Sequence, residues 1–169
     1  MIKQILIFLR PILNKIFFFF LAILLTSFLV GAQTTIVNLM WLSSLEMPVT
    51  LMIYISSIFQ DFYMLSLSPV VGMLPVSIPP LLPTLILIGF LISFSVTWLA
   101  IKWIKIDKKY AYGIAGAIAL FFIVFLMPVV FFGVDMLAGA RTPLGKVSLI
   151  ICGYVGGHFM GSKLNKIKL

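Results

Sequence analysis

Read as a pattern of apolar and polar positions, the chain is a series of long apolar runs separated by short clusters of charge. The first run, residues 16–32 ("IFFFFLAILLTSFLVGA"), follows Lys3, Arg10 and Lys15. At 1.5 Å per residue it reaches about 25 Å, just short of the ~30 Å hydrocarbon core of a bilayer. Including the turn before Lys15, whose long side chain can snorkel, predicts a first span over about 13–32. A rival reading takes Val30, Gly31 and Ala32 as a signal-peptidase site behind a charged head. That head carries apolar stretches of its own, which fits an uncleaved anchor better.

Residues 33–79 contain no lysine or arginine, only Glu46 and Asp61 as charges, and repeated prolines. The pattern predicts an external loop. Within it, 49–67 is apolar enough to suggest a span, but Gln60 and Asp61 fall at its middle. An aspartate at the bilayer centre costs roughly 2.5–3.5 kcal/mol on the insertion scale. With Tyr54, Phe59, Phe62 and Tyr63 around it, the segment reads as an interfacial helix.

A second span is predicted over 81–101, from Pro79-Pro80 to the aromatic and basic boundary of Trp98, Lys102, Trp103 and Lys105. A third covers 110–134, with Pro128 inside it. A fourth covers 143–163, where Thr142 is placed to cap and Pro143 to occupy the first helical position. Lys146 in its first turn must snorkel. The fold class expected is therefore an all-α membrane protein: one integral domain of four transmembrane helices, with an interfacial or extracytoplasmic loop carrying short helices.

Composition narrows the class. The chain is 63% hydrophobic and 9% charged, with a mean hydropathy of +1.26; soluble domains are about 25% charged. A net charge of +8 raises nucleic acid as a partner. The charges form no continuous basic face, so nucleic acid is set aside and the lipid bilayer is the expected partner. Of the 12 basic residues, all but Arg141 and Lys146 fall in the head, the 102–109 connection or the tail. With four spans these lie on one side, so the positive-inside rule puts both termini in the cytoplasm of a bacterial inner membrane. A fifth span at 49–67 would move the tail opposite the head, and charge disfavours it.

Candidate chemistry is sparse. Cys152 and His158 are the single cysteine and the single histidine. At about 100° per residue they point about 120° apart on one helix and cannot share a small ion. No metal or other cofactor is expected. Gly153, Gly157 and Gly161 instead share an arc of about 80°, a small-residue face for close helix contact. Gly156 widens it, and Tyr154 and His158 flank it. Gly89 and Ser93, continued by Thr97, keep the same i+4 rhythm in the second span. Gly113 and Ala117 keep it in the third, as do Ala115 and Ala119. Arg141 stands in the external loop, where a pairing with Asp135, Asp61 or Glu46 would pin that loop. His158, Tyr154, Arg141 and Asp61 are the polar residues with functional potential. No phosphate loop, CxxC, HExxH or nucleophile with its base is present, so an enzyme is not expected.

The order of "GIAGAIAL" (113–120), "GARTPLG" (139–145) and "GYVGGHFMG" (153–161) resembles small four-span inner-membrane proteins of proteobacteria whose function is unknown. The resemblance implies topology and no activity. Together these readings lead to the expectation of a non-catalytic structural or accessory component, in a homo-oligomer or beside a larger membrane protein. The alternative is a small permeation pathway with His158 and Tyr154 near a polar track.

Overall fold

The computed structural model describes residues 2–68, 80–130, 133 and 137–166, and its regular elements are all helical. Five helices follow in order: α1 (Ile2–Ser44), α2 (Leu51–Ser66), α3 (Leu81–Ala100), α4 (Lys108–Val130) and α5 (Pro143–Lys166). A short 3-10 turn at Ala138–Ala140 precedes α5.

The first correction concerns α1. Its 43 residues run about 65 Å, twice the thickness of a hydrocarbon core. Residues 33–44, expected to open a loop, continue the helix. The expected loop begins at Gln33, but Gln33 and Thr35 find partners without leaving the helix. Thr35 Oγ1 lies 2.9 Å from the Gly31 carbonyl oxygen and 2.7 Å from Asp61 Oδ2, its single proton shared between them. The helix ends at Ser44, and the chain turns away two residues later. Glu46 adopts φ 62°, the Glu46 N–H donates to the Ser43 carbonyl (3.1 Å) and the Met47 N–H to that of Leu42 (3.4 Å). This is a Schellman cap with glutamate where glycine is usual, and Pro48 follows it.

The predicted interfacial segment forms α2, folded back antiparallel along the upper part of α1. Phe28 packs edge-on against Phe62 (centroids 5.3 Å) and more obliquely against Phe59 (6.4 Å). Gly31 leaves room for the Phe62 backbone.

The other helices form a four-membered ring. α1 packs on α3, α3 on α4, α4 on α5, and α5 back on α1, with each neighbouring pair antiparallel. α3 turns Leu82, Ile86, Phe90 and Phe94 inward at steps of four. Opposite them are Ala22, Ile23 and Val30 of α1, Leu120 and Val124 of α4, and Leu149 of α5. At one end, Phe94 joins three helices by edge-on contacts with Phe19 (6.1 Å) and Tyr112 (5.1 Å).

A second correction concerns the number of spans. Among the described residues, three stretches are long and apolar enough to cross a membrane: Arg10–Ser44, Leu81–Ala100 and Lys108–Leu126. The sequence reading expects four. α5 forms where predicted and has 24 residues, so it falls short by composition and not by length. Its glycines, Lys146, His158 and Lys163 dilute the apolar content. The third predicted span is helical to Val130; residues 131–132 and 134–136, Asp135 among them, lie outside the described set.

Candidate functional site

Among the described residues, the most extensive helix–helix packing is the seam between α4 and α5. A Cβ at Gly153 would overlap the Gly116 carbonyl oxygen and sit 2.8 Å from Leu120 Cγ. One at Gly157 would overlap the Tyr112 carbonyl oxygen, and one at Gly161 would stand 2.6 Å from that of Lys108. Gly153, Gly157 and Gly161 therefore lay bare backbone against bare backbone over two turns. Without a hydrophobic drive in lipid, such closeness gathers dispersion and Cα–H···O contacts in its place. On α4 the facing residues are Gly113 and Gly116, three apart; Ala117 is half-buried to one side. Gly156 points elsewhere, against Thr26 of α1. Thus α5 uses glycine on two faces, toward two neighbours.

Tyr154 and His158 border this seam. The Tyr154 ring covers Gly113, where a Cβ would come within 2.8 Å of it. His158 stacks on Tyr154 (5.8 Å, 25°) and tilts against Tyr110 (5.9 Å, 58°). Its Nδ1 is buried with no hydrogen-bond partner among the described residues. Cys152 packs half-buried against the core. No group of three His, Cys, Asp or Glu among the described residues is placed to hold a metal ion.

At the opposite end of the bundle, the expected helix start is built as the residues suggest. The Gly145 N–H donates to Thr142 Oγ1 at 3.0 Å, and Pro143 opens α5. Arg141 is exposed just before it, and no ion pair joins it to Glu46 or Asp61 among the described residues. Asp61 is engaged by Thr35. Lys146 lies along α4, its Nζ 5.2 Å from the centroid of the Phe125 ring.

Sequence reasoning missed Gln33. Its Nε2 donates to Ser148 Oγ at 2.7 Å, and Ser148 in turn donates to the Gly145 carbonyl at 2.8 Å. The same amide lies against Gly139, where an added Cβ would overlap Gln33 Oε1 and the amide would have to move. One α1 residue thus ties α1 to α5 and to the turn before it. A long amide directly after Gly31-Ala32 in an apolar run was the available signal.

Between α3 and α4 lies an open apolar groove of about 570 Å³. Gly89, Ser93 and Thr97 form one wall, with Ala115, Ala119 and Phe122 opposite. Gly89 lies close to α4 side chains: an added Cβ would stand 3.2 Å from Ile123 Cδ1, which would have to give way slightly, and 3.5 Å from Ala119 Cβ. Ser93 Oγ has no partner among the described residues. The two small-residue stripes therefore differ: one meets α4 backbone to backbone, the other meets α4 side chains and borders the groove. A second groove, at the Lys15 end of the bundle, has a volume of about 730 Å³. Neither groove is lined by His158 or Tyr154.

No family model matches the chain, and no curated protein or solved structure is significantly similar to it.

Proposed function

We propose that this is a non-catalytic structural or accessory component of a bacterial inner membrane, with α1, α3, α4 and α5 as four crossing helices and both termini in the cytoplasm. The α4–α5 glycine seam carries the reading: the motif richest in candidate chemistry is occupied in holding two helices together. Two interior polar residues serve the same end, Gln33 toward α5 and Thr35 toward α2. α5 completes the ring while contributing little apolar surface, since α1 and α4 cover its glycine faces. Charge supports the orientation. Lys15, Lys102, Lys105, Lys108, Lys109 and Lys163 gather at one end of the bundle, with Arg141 and Lys146 at the other.

The α3–α4 groove is the surface on which such a component would meet a neighbour or a second copy. A photo-crosslinker at Ile92 or Phe122, on the groove wall, is expected to give a discrete adduct in cells. A strictly monomeric protein in mild detergent with no adduct from either position would end this reading. The unpartnered Nδ1 of His158 favours permeation as a second reading. Loss of a transport activity on replacing His158 with Phe, with the fold intact, would establish it.

A further inference from the structure

We propose that the groove at the Lys15 end of the bundle is a binding site for an anionic phospholipid. The inference rests on the membrane reading above and adds a ligand to it. The groove is lined by residues of all four ring helices. Phe19, Phe94, Met160 and Leu164 give it an apolar interior suited to an acyl chain. Three ammonium groups stand among its lining residues, one each from α1, the end of α3 and the start of α4: Lys15, Lys102 and Lys108. Lys102 is held there by the Trp98 ring, its Nζ 3.8 Å from the centroid. Asp107 is the one carboxylate described at this end, and it is already engaged. Lys109 Nζ lies 3.5 Å from it, and Asn165 donates to it at 2.9 Å. No ion pair joins a described carboxylate to any of the three groove lysines.

The volume of about 730 Å³ lies within the ~300–1,000 Å³ usual for small-molecule sites. The pairing of features selects the ligand class. A soluble anion would use the lysines and leave the apolar interior unfilled. A zwitterionic lipid would fill the interior while bringing its own cation among the three ammonium groups. A phospholipid of net negative charge satisfies both, as basic pockets between membrane helices do generally.

The test uses Trp98 as reporter, in the full chain carrying Trp41→Phe and Trp103→Phe, reconstituted into vesicles. Brominated phosphatidylglycerol is expected to half-quench Trp98 at a several-fold lower mole fraction than brominated phosphatidylcholine. Each of Lys15→Gln, Lys102→Gln and Lys108→Gln should reduce that preference by up to about fivefold. The triple Gln variant should abolish it, the triple Arg variant should restore it, and Lys146→Gln at the far end should leave it unchanged. Equal quenching by the two lipids, or a preference that survives in the triple Gln variant, would overturn the proposal. Relief of the preference by millimolar inorganic phosphate would also overturn it, by assigning the lysines to a free anion. Protein that resists alkaline carbonate yet shows no preference would sink this inference alone. Protein released by carbonate and quenched by neither lipid would sink the membrane reading with it.

Discussion

Gly116 of α4 and Gly153 of α5 face each other reciprocally: a side chain on either would overlap the backbone carbonyl oxygen of the other. Neither oxygen can move without unwinding its helix, so the clash cannot be relieved by a rotamer change. Gly116→Ala and Gly153→Ala are each expected to destabilise the fold by about 1–3 kcal/mol, the usual range for overpacking. Gly31→Ala is the control, since the nearest atom to its added Cβ is 4.0 Å away. There the gain in helix propensity, up to about 1 kcal/mol, should dominate. Unfolding in a denaturing-detergent titration would measure all three, and equal losses would contradict the account.

The Thr35–Asp61 contact ties α2 to α1. Thr35→Val removes a hydrogen bond to a charged acceptor in a partly buried setting, worth about 1.5 kcal/mol. Its effect should be local, seen as faster hydrogen exchange over 51–66 with little change in α4 and α5. Asp61→Asn keeps an acceptor oxygen and should lose less than Asp61→Leu. An exchange pattern that changes uniformly along the chain would contradict this.

Gln33 and Ser148 form a pair suited to a double-mutant cycle with Gln33→Leu and Ser148→Ala. Hydrogen bonds between membrane helices average about 0.6 kcal/mol by this method. A coupling of about that size is expected, since Nε2 and Oγ stand 2.7 Å apart and both residues are partly buried. Additive single losses would mean that the amide acts only by packing on Gly139.

At the end of α1, Glu46 holds a left-handed conformation that favours glycine. Glu46→Gly should stabilise the α1–α2 connection by about 1 kcal/mol, the low end of the left-handed penalty for an L-residue. The gain should appear as slower proteolysis between 44 and 51. Glu46→Val should do the reverse.

These elements differ in how much of them the chain reveals before folding. The start of α5 was legible, because Thr142, Pro143 and Gly145 are local chemistry and an N-cap needs only neighbours in sequence. The helical character of 51–66 and the apolar runs of α1, α3 and α4 were legible from composition. The end of α1 was not. The expected loop begins at Gln33, yet Gln33 Nε2 and Thr35 Oγ1 are met by Ser148 and Asp61, residues remote in sequence. The glycine stripe at 153, 157 and 161 could be seen as a face, but nothing local names the helix it meets. That α4 answers with Gly113 and Gly116 depends on the register of two antiparallel helices. The Lys15 groove was hidden for the same reason, its lysines being spread over 93 positions from Lys15 to Lys108.

The tight seam between α4 and α5 also bears on how the chain would enter a bilayer. On the four-span reading, α5 is too dilute in apolar residues to partition well alone, and α4 is apolar enough to do so. Their glycine faces cover each other, hiding backbone that either helix by itself would expose to lipid. The unit of insertion is then the hairpin: α4 carries α5 across, and Arg141 and Lys146 at its far turn are the basic charges that must travel.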